Sequence, residues 1–213
     1  SHRENGRACY SFCMCPGGVV IPSASEIGGV VTNGMSLYAR DDVNSNSAVL
    51  CEIYPSDFYE GVLGGVELQR EIERKAFLLG GSDYSAPTQK LEDFYAIRRT
   101  ERFGSVRPTY ERNMPSDLNG LFPPVVTESI KTGISDMNNK LKGFSCGDAV
   151  LPGVETLSSS PVRILRGDDM VSPTVGNLYP CGEGCGYAGG ITSAAVDGIK
   201  VAAAIAEKYS KKS

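Results

Sequence analysis

The stretch LYPCGEGCGYAGGITSAAVDGIKVAAAIAEKY, residues 178–209, decides how the rest of the chain is read. Leu178-Tyr179-Pro180-Cys181 predicts the end of a short strand, residues 182–190 a glycine-dense turn, and Ile191 onward an alanine-rich helix. Gly184, Gly186 and Gly189 satisfy G-x-G-x-x-G in the setting that pattern needs, after a strand and before a helix. Glycines let the backbone approach a ligand, and the free N–H groups of a helix start favour an anion such as pyrophosphate. A full dinucleotide unit also wants a second strand and an acidic residue about 20 positions further on. The sequence stops at Ser213, so the stretch reads as a strand–turn–helix finishing a domain.

The remaining 177 or so positions upstream, out of 213, allow one large or two small domains with a sizeable core. A net charge of −4 and the lack of a Lys/Arg-dense run argue against nucleic acid as a partner. Lys208, Lys211 and Lys212 read as complements to a helix C-terminus. No apolar run reaches the ~18 residues of a membrane span, and the polar opening carries no signal-peptide pattern. Seven cysteines, an odd count without a regular framework, point to free thiols and the cytoplasm. The single histidine, His2, removes His-based triads and most zinc sets.

Before the tail, the first quarter reads as mostly β. Residues 9–21 predict two strands around a Pro16-Gly17-Gly18 turn, and Val19–Ile21 with Val30–Thr32 a hairpin with a long connection. Asn33-Gly34 is a turn signal, and SAVLCEIY, residues 47–54, a further strand. The middle is helical. GVELQREIERKAFLLGG carries Val66, Ile72, Ala76 and Leu79 on one face and stops at Gly80-Gly81. Pro87 opens a second helix through Ile97, with Leu91, Phe94 and Tyr95 inward. Val126, Ile130, Ile134, Met137 and Leu141 recur at i, i+4, i+8, i+11 and i+15, an amphipathic helix closed by Gly143. Residues 98–112 read as loop and Val162–Leu165 as a strand. The class is therefore α+β: a β-rich N-terminal part, a helical middle and the strand–glycine-turn–helix tail. A boundary near 147/148 separates residues 1–147 from 148–213.

Several blocks together resemble one family. Tyr10-Ser11-Phe12-Cys13-Met14-Cys15-Pro16-Gly17-Gly18, Thr32-Asn33-Gly34-Met35-Ser36, NSNS at 44–47, Val154-Glu155-Thr156 and Ser159–Ile164 are similar, in order, to bacterial FAD-dependent dehydrogenases of uncharacterised substrate. Tyr179–Gly184, Gly186–Ile191 and Ser193–Gly198 resemble the last block. The family usually has Arg-Thr where Leu157-Ser158 stands here, and often Ala at Cys185. Such proteins carry an upstream GxGxxG unit for the ADP half of FAD, so the resemblance implies the C-terminal part of a longer flavoprotein. On that likeness residues 1–147 form a substrate or cap-like region, and residues 148–213 complete an FAD/NAD(P)-binding domain. The cofactor contacts would be Gly182, Glu183, Gly184, Gly186, Tyr187, Gly189, Gly190 and Ile191, with FAD as cofactor and NAD(P)H as electron partner. The missing N-terminal segment and a small-molecule substrate are the partners implied.

Bland readings stand beside these. The glycines also suit a ligand-free strand-to-helix connection, and Glu183 a turn cap. Cys13 and Cys15 share a strand face in C-x-C, where free cysteine is often a small hydrophobe, but a thiol redox or substrate role stays open. No second pair with metal-like spacing accompanies them. Arg163 and Arg166, three apart, face opposite sides of a strand, so Arg163 is a candidate for a phosphate or carboxylate. The rival functions are an anion- or nucleotide-binding module at the same turn, and a thiol redox or metal protein through Cys13 and Cys15. The sequence assigns no catalytic acid or base.

Overall fold

The computed structural model describes residues 2–4 and 6–210. In chain order the elements are β1 (His2–Glu4), β2 (Arg7–Cys15), β3 (Gly18–Pro22), β4 (Thr32–Ser36), β5 (Asn46–Cys51), α1 (Gly64–Leu79), β6 (Ala86–Lys90), α2 (Leu91–Tyr95), β7 (Asn113–Pro115), α3 (Pro124–Lys140), β8 (Val150–Pro152) and α4 (Ile191–Tyr209). The class is α+β, with a C-terminal helix, as the sequence indicates. Among the described residues no helix is long and apolar enough to cross a membrane.

Two compact units divide the chain. Unit 1 runs to Asp57 and resumes over Leu68–Thr156; unit 2 holds Phe58–Glu67 and the chain from Leu157 on. A division at 147/148 would cut β8 away from β6, to which it is paired over Thr88↔Pro152 to Lys90↔Val150. The compact units therefore part after Thr156.

Among the described residues unit 1 holds three small sheets, ordered β1-β2-β5, β3-β4 and β7-β6-β8. A hairpin of β3 with β4 forms, with Ile21↔Asn33 and Val20↔Gly34 in register, but its second strand is Thr32–Ser36 and not the expected Val30–Thr32. Asn33-Gly34 is thus inside a strand and not a turn, because the 23–31 connection makes the reversal and the ladder overrides the local signal. Pro87 does not open a helix either. It lies in β6, where it supplies only a carbonyl, accepting from Gly153 N–H, so its missing donor costs no ladder bond there. The helix begins four residues later. Leu91 and Phe94 are buried as expected, but Tyr95 is at the surface and donates its hydroxyl to the Lys131 carbonyl.

The core of unit 1 gathers Cys9, Ile72, Ala76, Leu91, Phe94, Leu121, Ile134 and Met137. Helix α3 delivers Val126, Ile134 and Met137 to buried positions and Ile130 to the core's edge, so its apolar stripe reads true. Leu141 lies one residue past the helix and is exposed. Around α2 most buried polar groups are paired, Asn119 Oδ1 excepted. Gln89 donates to the Arg98 carbonyl and accepts from Leu118 N–H, and the Thr100 hydroxyl donates to Asp93.

Unit 2 is mostly irregular before α4. Val162–Leu165 forms no strand, and residues 178–181 have no ladder partner among the described residues. Lys208 lies over the rings of Tyr179 and Tyr209. Lys211 and Lys212, expected beside it, lie outside the described residues.

Helix α3 approaches β2 through Gly133, where a Cβ would run into the Cβ and Sγ of buried Cys9. Gly133→Ala should therefore lower the denaturant midpoint by an equivalent of about 1–3 kcal/mol through overpacking. The intrinsic helix preference of Ala alone would raise it. A raised midpoint would contradict this packing.

Candidate functional site

The glycine turn of unit 2 is built on a buried ion pair. Arg166 meets the Asp197 carboxylate in two bonds, Nη1 to Oδ2 at 2.9 Å and Nη2 to Oδ1 at 2.6 Å, and Nη1 also donates to the Pro180 carbonyl at 2.7 Å. Both side chains are almost fully enclosed. Asp197 sits one and a half turns into α4 and also accepts from Gly182 N–H at 2.8 Å. One carboxylate thus pins the start of the turn to the body of the helix.

Two backbone bonds close the turn itself, Gly186 N–H to the Glu183 carbonyl and Tyr187 N–H to the Gly182 carbonyl. Two guanidinium groups lie over the Tyr187 ring, Arg166 at 3.8 Å and Arg163 at 5.0 Å from its centre. The Tyr187 hydroxyl oxygen accepts from Arg166 N–H, and Arg163 donates Nε and Nη2 to the Gly186 carbonyl. Gly186 has φ +79°, and a Cβ there would strike the Val162 carbonyl. It is a structural glycine. Nothing lies within 4 Å of where a Cβ of Gly184 would be, whereas Gly189 and Gly190 face only serine hydroxyls.

Helix α4 then starts with Gly190 as N-cap, whose N–H donates to Ser193 Oγ at 3.2 Å. Ala194 N–H takes the Gly190 carbonyl, so the N–H groups of Ile191, Thr192 and Ser193 precede the first helical bond. Ile191 is 83% exposed, and Glu183 and Gly184 are exposed as well. The open end therefore offers backbone donors and the positive pole of a helix dipole, a setting suited to an anion.

The residues expected at the site divide into two groups. Gly182, Gly186, Tyr187 and Arg163 belong to the framework that shapes the turn. Glu183, Gly184, Gly189, Gly190 and Ile191 form its open side. Cys13 is exposed and Cys15 half-buried on β2, in unit 1, apart in sequence and unit from the turn. Burial, then Cys13 and Glu155, push the Cys15 thiol up, which disfavours a thiolate. All seven cysteines are free, and among the described residues no three His, Cys, Asp or Glu side chains gather as a metal set. Sequence reasoning missed Asp197 as the anchor. The signal was an acidic residue four positions before Val201, both buried, in an otherwise alanine-rich helix.

The Arg166 hydrogen bonds, with that from Gly182 N–H, hold the Asp197 carboxyl at about 2, below the ordinary 3.8. A carboxyl depressed on folding stabilises above its ordinary value and loses that contribution as the pH falls through its folded value. The Gly182 amide resonance should hence titrate with a midpoint at about 2. Asp197→Asn should abolish that titration and, by leaving Arg166 buried and unpaired, destabilise the unit by about 3–5 kcal/mol. A midpoint near the ordinary value, or an unaffected amide in the variant, would contradict the anchor.

Comparisons with known proteins place the chain at the level of family. A family model described as FAD-dependent protein, C-terminal domain-like, matches residues 1–158, the whole of unit 1 with residues 58–67 and 157–158 of unit 2, and none of the glycine turn. An uncharacterised protein of Clostridium beijerinckii is 49% identical over 205 residues, covering 95% of this chain and so both units. The chain spans 38% of that relative's length. This chain belongs to the FAD-dependent protein, C-terminal domain-like family.

Proposed function

We propose that the chain is the C-terminal part of an FAD-dependent oxidoreductase, a dehydrogenase by its resemblance, in which the 182–191 turn meets the cofactor. The observation carrying this reading is the anchored turn. Arg166 and Asp197 hold the turn and the α4 start in one arrangement, while its outer side carries no side chain at Gly184, Gly189 and Gly190. That geometry fits a bulky phosphate-bearing group approached by backbone N–H donors. FAD, when bound, would supply the hydride chemistry.

Within this reading each residue has a limited task. Gly184, Gly189 and Gly190 leave room for the cofactor, and the N–H groups of Ile191 and Thr192 direct partial positive charge at it. Tyr187, held by cation–π contact with Arg163 and Arg166, keeps the turn from collapsing onto itself. Arg166 is committed to Asp197 and Pro180, whereas the exposed Arg163 gives only Nε and Nη2 to the Gly186 carbonyl and keeps Nη1 as a donor for an anion. The remainder of a longer protein would supply the adenosine half of the site, consistent with the length of the relative. NAD(P)H as electron partner rests on the resemblance alone, and a reducing, cytoplasmic setting on the seven free thiols.

The test is flavin retention by the full-length protein. Wild type should purify yellow. Gly184→Val, which places a branched side chain on the open side and touches nothing else, should weaken FAD binding about tenfold or more while the melting temperature is retained. Full FAD retention by the variant would remove the turn from the cofactor site. A colourless full-length protein that binds ADP would replace the oxidoreductase reading with the nucleotide-binding one.

A further inference from the structure

Unit 1 contains a cavity of about 580 Å³, within the size range of small-molecule sites. Its floor is the unit's own core, with Leu91, Phe94, Leu121 and Ile134 all buried and all lining it. The polar wall is largely engaged already. The Asn44 amide donates to the Arg107 carbonyl, and the Thr109 hydroxyl accepts from Val20 N–H.

Two acceptors are exceptions. Asn46 Oδ1 is buried without a partner among the described residues, and Glu155 lines the cavity half-buried with no hydrogen bond or ion pair to its carboxyl. Burial alone pushes the Glu155 pKa up, toward the neutral acid. A polar group left open in a mostly apolar cavity is where a ligand gains orientation, because buried polar groups elsewhere find partners. The one cationic lining residue, Arg107, is solvent-exposed, so it offers an anion little beyond what water does. A charged ligand would lose its hydration among aromatic and aliphatic side chains without a buried counter-charge.

We propose that this cavity binds an uncharged, largely apolar ring compound bearing one hydroxyl or amide, which hydrogen-bonds to Glu155. That the compound is the substrate rests on the oxidoreductase reading; that it binds here does not, and the test reads binding alone.

Three probes of one size separate the possibilities on the full-length protein by equilibrium dialysis: naphthalene, 1-naphthol and 1-naphthoate. 1-Naphthol should bind most tightly. Glu155→Ala should weaken 1-naphthol about tenfold and leave naphthalene within about twofold, since only the former loses a hydrogen bond. Val106→Trp, which fills the cavity from its lining, should weaken both. The proposal falls if none of the probes binds, if 1-naphthoate is the tightest, if Glu155→Ala leaves 1-naphthol unchanged, or if Val106→Trp affects neither probe.

Discussion

The bidentate pair between Arg166 and Asp197 is the constraint on which the C-terminal unit depends. Residues 157–190 contain no strand among the described residues, so no ladder holds them. Their order comes instead from one guanidinium that reaches Pro180, Asp197 and the Tyr187 ring together, and from one carboxylate that reaches both Arg166 and Gly182. Enclosing two charges is costly, and such pairs seldom add much net stability over apolar packing. Here the gain is in orientation. A glycine-rich segment has many conformations open to it, and directional bonds select one where hydrophobic contact would not.

The N-terminal unit follows a different logic. Its three small sheets are each too narrow to stand alone, and they are held by one apolar core that α1, α2 and α3 share. Most polar groups enter this core with partners, as Gln89, Asp93 and Thr100 do, while Asn46 Oδ1 and Asn119 Oδ1 are buried without one. The Glu155 carboxyl is open as well, on a cavity wall. The family match covers this unit, so membership is carried by the cavity-bearing part of the chain while the cofactor reading is carried by the turn.

What could be read from the sequence followed the strength of local signals. The α3 stripe from Val126 to Met137 and the glycine turn leading into α4 were legible because periodicity and glycine chemistry act over a few residues. Pro87 and Asn33-Gly34 misled, since in each case a neighbouring strand fixed the conformation against local preference. The strand readings at 162–165 and 178–181 failed for the complementary reason: short apolar runs need a partner strand, and the order there comes from side chains. Of the site, the residues that leave space were visible as glycines. The residues that hold the turn, Arg166 and Asp197, lie 31 positions apart, and nothing local links them.

The central claim is that the 182–191 turn and the start of α4 face the cofactor. Hydrogen–deuterium exchange of the full-length protein, with and without bound FAD, tests it most directly. The account predicts that FAD slows exchange across residues 182–193, with the open side around Gly184 and Thr192 changing most. Protection confined to unit 1, with the turn exchanging equally in both forms, would contradict it.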